Sequence, residues 1–492
     1  MTGVSFPRMG NAIYWQMIQH VGVKAIFVIR LMVLAWLLSP DDFGLLAIAG
    51  ICVDVMMRIT NFGMVPALVQ RSTADEDHYR VAWTIGMMRA LSVACVIIIA
   101  APAAARIFAE PRATNLILVL ALRPILDAGA SIHIARLIRD LHFRSPALLH
   151  VTKAVANTAV AVLSAQWLGA WALVAGALAG SGAFLIGSYF AAPFRPRFCL
   201  NKPAARSLIR FGKWIFFAGL VAIAGQTVLR LLIARRLGAA ELGLYYLAAG
   251  LAFLPSDVAG QVVGQVAFPF YARMQSDLER LSVAFRSILT GLSAILVPAC
   301  ILLIALAPSL VENLLGPDWK GTTSIIQVLA LSSMIGLFGD TMVPILHGTG
   351  RPDHNMVLEA VQSFLLIVMA WLLTGTYGVM GAAVAWLPAT GTTQIIGVIM
   401  LRAMLPQPFA DLAKPLTAIA FVSVFAAGTA VGVERMIPGP IGVISAGVLG
   451  MAVTGWLFWC IERRFRVGLS DGLVQAFPYM ASFVGLPNRQ AI

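Results

Sequence analysis

The sequence predicts an all-α polytopic membrane protein of about fourteen transmembrane helices, arranged as two six-helix repeats followed by two further helices. Three observations predict it. Of the 492 residues, 60% are hydrophobic and only 12% charged, about half the charged share of an ordinary soluble chain. The apolar residues run in stretches long enough to cross about 30 Å of hydrocarbon, without the alternating ten-residue segments of a barrel. Finally, the order of features from Gly10 to Ala192 recurs from Gly212 to Arg402.

The apolar runs place the helices near 12–37, 43–69, 81–105, 114–135, 147–167, 170–192, 212–234, 243–270, 284–308, 322–346, 355–374, 378–401, 412–432 and 440–461. The first run has no small-residue cleavage site and reads as a retained helix. It leads from Arg30 through Leu38-Ser39-Pro40-Asp41-Asp42 to Phe43-Gly44-Leu45. The seventh leads likewise from Arg230 through Arg235-Arg236-Leu237-Gly238 to Gly243-Leu244-Tyr245. Ala101-Pro102 is expected to end the third helix as Ala307-Pro308 ends the ninth. Leu168-Gly169-Ala170-Trp171 starts the sixth as Tyr377-Gly378-Val379-Met380 starts the twelfth. Six spans per repeat is an even number, so both repeats face the same way, related by an axis along the membrane normal, with the functional site where they meet. Pro255, Pro269, Pro298, Pro344 and Pro388 are expected to kink their helices. The Gly176/Gly180 and Gly260/Gly264 pairs allow close helix contact.

The divisions that follow are a first lobe at 1–192, a basic linker at 193–213, a second lobe at 214–402, helices thirteen and fourteen at 403–462, and a tail at 463–492. The net charge of +13 is explained by basic residues retained in cytoplasmic loops, without recourse to nucleic acid. With both termini cytoplasmic, about 22 of the 35 basic residues fall on the inner side, the bias that the positive-inside rule requires. The Arg195 to Lys213 segment interleaves basic and apolar residues as an amphipathic helix on the cytoplasmic leaflet does. The five cysteines form no Cys-x-x-Cys pair, so neither disulfide nor metal site is implied.

Charges within the spans carry the functional reading, because each costs on the order of 3 kcal/mol in lipid unless it faces a partner or a wet cavity. The first repeat holds Lys24, Arg30, Asp54, Arg58, Arg89, Arg123, Asp127 and Lys153; the second holds Arg230, Asp257, Asp340 and Glu359. The first lobe is therefore cationic and the second mostly anionic. Gln16, His20 and Lys24 form a polar stripe on one helix face. Asp54/Arg58 and Arg123/Asp127 are spaced to pair within their own helices. Lys24, Arg89 and Lys153 have no carboxylate one turn away, and an anionic ligand such as a diphosphate accounts for them. The candidate substrate-binding set is Lys24, Arg30, Arg58, Arg89, Arg123 and Arg230. Asp54, Asp127, Asp257, Asp340 and Glu359 are candidates for proton or sodium coupling.

Taken together, the Leu38 to Leu45 corner, Asn61-Phe62-Gly63, Leu68-Val69-Gln70-Arg71, Arg139-Asp140-Leu141-His142-Phe143-Arg144, Arg230-Leu231-Leu232-Ile233-Ala234 and Phe268-Pro269 resemble the multidrug/oligosaccharidyl-lipid/polysaccharide exporter superfamily. The match runs in order through helices one to twelve, and is most similar to the Wzx-type polysaccharide flippases, in particular those of colanic-acid-like exopolysaccharides. The resemblance implies two six-helix lobes in a V, a bacterial inner-membrane location and a polyprenyl-diphosphate-linked oligosaccharide as cargo. It implies membrane lipids as surroundings, with a polysaccharide polymerase and co-polymerase as partners.

No cofactor is expected beyond a coupling H+ or Na+. The sequence has no glycine-rich phosphate loop, no His-Glu-x-x-His and no nucleophile elbow, so neither ATP hydrolysis nor another enzyme activity is expected. A multidrug/cation antiporter of the same superfamily would need an anionic, aromatic cavity. A non-transporting component of an assembly complex would leave the costly buried charges without use.

Overall fold

The computed structural model describes residues 6–60, 68, 75–140, 142–199, 225–257, 260, 271, 274, 277–349 and 351–465. Among them there is no strand, and nine helices are each long and apolar enough to cross a membrane. The basic segment expected to lie on the leaflet falls largely outside the described residues. The chain forms two compact units, Met1–Tyr246 and Leu247–Ile492. That division falls later than the 193–213 boundary expected from the sequence.

The first unit comprises α1 (Phe6–Leu37), α2 (Pro40–Ile59), α3 (Glu76–Ile107), α4 (Ala113–Leu120), α5 (Leu122–Gly129), α6 (Ile134–Arg139), α7 (Arg144–Leu168) and α8 (Ala170–Ala191). Helical residues 225–237 form α9, and α10 (Ala239–Ala252) begins here and continues into the second unit. The Ser39 corner is a capping box. The Ser39 hydroxyl accepts from the Asp42 amide at 3.3 Å, and the Asp42 carboxylate accepts from the Ser39 amide at 3.0 Å. Pro40 follows at the first helical position, where its missing N–H costs nothing.

The corner shared by the two repeats is a direct contact. A β-carbon at Gly44 would lie 1.8 Å from the Ala239 carbonyl oxygen, and one at Gly243 would lie 1.8 Å from that of Pro40. The starts of α2 and α10 thus cross reciprocally, backbone against backbone, and only glycine leaves room. This crossing gathers α9 and the start of α10 into the first unit.

Two expectations are corrected by helix continuity. Ala101-Pro102 does not end α3, which continues to Ile107. Ala307-Pro308 does not end α11 (Leu278–Leu310). Proline keeps a helical φ and removes one hydrogen bond, whereas ending a helix in lipid would strand several. The fourth span, expected as one run, is instead broken at Ala121 into α4 and α5. Pro124 sits in the first turn of α5, its ring against the position where a continuous helix would hold the Leu120 carbonyl.

The second unit holds the rest of α10, then α11, α12 (Thr322–Gly348), α13 (Pro352–Val384), α14 (Trp386–Met404), α15 (Ala413–Met436) and α16 (Pro440–Phe465). Phe285, Ile288, Leu292 and Leu296 of α11 join Leu337, Ile345 and Leu358 in one core cluster. Helices α15 and α16, which have no counterpart in the first repeat, dock on α11. Ala294 packs with Ile419, Val422 and Phe458, and Leu302 with Ala427, Ala430 and Ala446.

Secondary structure runs unbroken from Pro352 to Val384, but Gly378 has φ 58° and ψ −142°. A β-carbon on Gly381 would lie 2.2 Å from the Leu373 carbonyl oxygen, so the chain doubles back there and two helices meet. Gly169, between α7 and α8, has nearly the same backbone, φ 53° and ψ −129°. Both turns lie where the sequence repeat places them, and both use a region of φ that glycine alone enters freely.

Candidate functional site

The α7–α8 hairpin builds the site. A β-carbon at Gly180 would stand 2.8 Å from the Lys153 carbonyl oxygen, and one at Gly176 only 2.6 Å from that of Asn157. The Gly176/Gly180 contact expected from the sequence is formed, and it draws α8 onto the part of α7 that carries Lys153 and Asn157. A Gly176 β-carbon would also approach Asn157 Oδ1 to 2.9 Å. That same oxygen accepts a 2.8 Å hydrogen bond from Arg30 Nη1 of α1. One glycine therefore makes room for the asparagine that holds the arginine.

Arg30 lines a cavity of about 230 Å3 together with Arg123 of α5, Lys153 of α7 and Arg230 of α9. Tyr246, Asn157 and Asp54 complete its polar wall, and Leu46, Ala47 and Ile51 of α2 lie among its apolar residues. Four basic side chains thus face one carboxylate. Arg30 and Arg230, the arginines of the two repeated corners, share this chamber. Arg30 rests on the Phe27 ring at 5.3 Å, yet its buried Nε has no hydrogen-bond partner.

Pairing follows helical spacing for Arg123 and Asp127 but not for Asp54 and Arg58. Asp54 does not turn to Arg58 one helical turn on; it meets Arg123 across helices at 3.4 Å. Arg58 is exposed and away from the cavity lining. Asp127 sits 3.7 Å from Arg123 in its own helix, but its shorter bond, 2.6 Å, goes to Lys153 of α7. Lys153, which the sequence left without a carboxylate, therefore has one, and it also lies 5.3 Å from the Phe184 ring. Arg89 donates from Nη1 to the Thr60 carbonyl at 3.2 Å. That contact ties a cation to the C-terminal end of α2, where the helix dipole favours it, and Arg89 is not part of the cavity lining. Lys24 and His20 are half-buried on α1 beside the chamber's helices, and the Gln16 side chain is outside the described residues.

The second unit has a cavity of its own, about 180 Å3, between α12, α13 and α14. Asp340 and Glu359 line it with Gln362, Thr390, Thr393 and Gln394, and no basic residue lines it among the described residues. Ser256 and Ser333 hydroxyls meet at 2.5 Å, and Ser332 lies 3.2 Å from the Thr390 hydroxyl. Gln394 Oε1 is buried without a partner. Asp257 is exposed and outside the lining. The hydroxyl and amide residues escaped the sequence reading, because Ser, Thr and Gln inside a span carry no charge to mark them. The i,i+4 spacing of Thr390 and Gln394, and of Lys153 and Asn157, was the available signal.

Beyond the spans, the α3–α4 turn carries a surface network. Arg112 bonds Glu110 at 2.6 and 2.9 Å and Asp41 at 2.7 and 3.0 Å, a bidentate contact to each. The guanidinium hydrogen bonds hold Glu110 below the usual carboxylate range and raise Arg112 further.

Residues 33–324, more than half of the chain, match a family profile described as polysaccharide biosynthesis protein. The chain belongs to the polysaccharide biosynthesis protein family. It is 27% identical over 391 residues to the succinoglycan biosynthesis transport protein ExoT of Rhizobium meliloti, covering 78% of each. It is 22% identical over 371 residues to the lipopolysaccharide biosynthesis protein WzxC of Escherichia coli, covering 74% of this chain and 75% of that one. Its fold matches the lipid II flippase MurJ at a TM-score of 0.71 and 14% identity, over 92% of this chain and 99% of that one. An inward-facing multidrug transporter of the MOP superfamily aligns at 0.62 and 15% identity, over 82% and 96%. The chain is thus a multi-pass membrane transport protein of polysaccharide biosynthesis and not an enzyme.

Proposed function

We propose that this chain flips a polyprenyl-diphosphate-linked oligosaccharide across the bacterial inner membrane, as a secondary-type transporter with both termini cytoplasmic. The observation that carries the reading is the cationic chamber, lined by Arg30, Arg123, Lys153 and Arg230 with Asp54, four basic groups against Asp54 and the Asp127 carboxylate paired to Lys153 and Arg123. So much positive charge in a membrane chain favours an anionic cargo, and guanidinium groups match phosphate oxygens with paired N–H donors. The cation-antiporter alternative fits this chamber poorly and is the less favoured reading.

In this mechanism Arg30 of α1 and Arg230 of α9 take the diphosphate together. Asp54 and Asp127 hold Arg123 and Lys153 in place until phosphate replaces part of their pairing. Alternating access of the two lobes would expose the headgroup to each side in turn, delivering the repeat unit to a polysaccharide polymerase and co-polymerase. Asp340 and Glu359 supply the site for a coupling proton or sodium ion, a reading supported by two carboxylates in a polar cavity without a basic lining residue.

The test is an Arg30→Gln, Arg230→Gln double variant. Polysaccharide export is expected to fall by more than about a hundredfold, as two charge-assisted contacts of 1.5–3 kcal/mol each would give, with the protein still in the membrane by immunoblot. Export near the unsubstituted level would overturn the role of the chamber.

A further inference from the structure

A second compartment adjoins the cationic chamber in the same unit. It is a groove of about 220 Å3 between α2, α3, α4 and α9, and its lining is apolar apart from Thr227 and Cys52. Ile51 of α2 lines both compartments. On α4, Ile117 lines the groove and Leu120, one turn on, lines the chamber; on α9, Leu231 lines the groove and its neighbour Arg230 the chamber. Three helices therefore separate the two spaces by the thickness of a single residue layer. The floor is closed, with Ile97, Ala101 and Ile117 buried, while Val96 (48% exposed) and Ala100 leave its α3 side open.

We infer that this groove seats the head-proximal isoprene units of the cargo's polyprenyl chain. The inference rests on the reading of the chamber as the diphosphate site. In a prenyl diphosphate one C–O bond joins the phosphate to the first isoprene, so a tail compartment must begin within one residue layer of the phosphate. The groove meets that condition through Ile51 and Leu231. Lipid is as apolar as the groove, so the hydrophobic effect does not draw the tail in. What the groove adds is a fixed wall of packing atoms, which aligns the tail with the headgroup and disfavours anionic lipids whose phosphate is joined to glycerol. The rest of the chain leaves past Val96 and Ala100 into the bilayer.

The experiment uses the full chain in nanodiscs with an undecaprenyl diphosphate probe carrying a diazirine on its first isoprene, with adducts mapped by mass spectrometry. Adducts are expected on residues 51–56 of α2 or 96–104 of α3, competed by inorganic pyrophosphate. They are expected to drop about tenfold in Ala100→Trp and in Val96→Trp, two lipid-side positions that tolerate a larger side chain. A probe with its diazirine on the terminal isoprene is expected to label without this pattern. Adducts that pyrophosphate competes but that lie outside α2, α3, α4 and α9, or that survive both tryptophan variants, would overturn the groove and leave the chamber standing. Labelling that pyrophosphate does not compete would overturn the chamber, and the groove with it.

Discussion

The α7–α8 hairpin and the hairpin folded within α13 turn on matching glycines, Gly169 and Gly378, 209 positions apart, yet they line opposite kinds of space. At that offset Lys153 corresponds to Gln362, Asn157 to Leu366, and Gly176 and Gly180 to Ala385 and Ala389. The first hairpin has glycines pressed against a lysine and an asparagine, beside a chamber of four cations. The second has alanines, and its cavity holds Asp340 and Glu359. Duplication supplied the backbone; the charge of each cavity was then set by a few side chains. One fold lines a cavity with basic residues in one unit and a cavity with carboxylates in the other, the division that the proposed roles of cargo and coupling ion require.

That division can be broken by Asp340→Asn with Glu359→Gln. Transport driven by an ion gradient is expected to fall tenfold or more, while pyrophosphate binding to the purified protein changes by less than about twofold, since neither residue lines the chamber. Equal loss of both would mean the cavities do not work separately. A smaller effect tests the pair within the cationic chamber. Asp127→Leu leaves Lys153 without its 2.6 Å partner and is expected to cost about 2 kcal/mol in thermal unfolding, less than the about 3–5 kcal/mol of a broken fully buried pair because both groups keep some exposure. Adding Lys153→Met should restore most of that stability without restoring transport, and a double variant no more stable than the single would refute the pairing. Smaller still, Gly176→Ala adds one methyl against Asn157 and is expected to cost about 1–2 kcal/mol. It should weaken pyrophosphate binding about threefold through Arg30, and unchanged binding would show that Asn157 does not position it.

Much of this was legible in the sequence. Apolar run length gives the helices, Gly169 and Gly378 give the turns, and charges inside spans mark Arg30, Arg123, Arg230, Asp340 and Glu359 as cavity residues. What sequence could not supply was pairing between helices. Helical spacing sees Asp54 with Arg58, whereas packing joins Asp54 to Arg123 and Asp127 to Lys153. Arg89 looked like a ligand because nothing in a sequence shows that the Thr60 carbonyl at the end of α2 would be within its reach. Asn157 was missed because an uncharged amide in a span carries no cost large enough to notice.

The crossing of α2 and α10 at Gly44 and Gly243 has a mechanical consequence. No side chain lies between the two backbones, so nothing at that point can flex to absorb an added atom. Arg230 precedes the crossing and Tyr246 follows it, and both line the cationic chamber. A single methyl placed at either glycine would therefore act as a wedge, and its displacement would be felt at the chamber wall, where Leu46 and Tyr246 lie within one helical turn of Gly44 and Gly243.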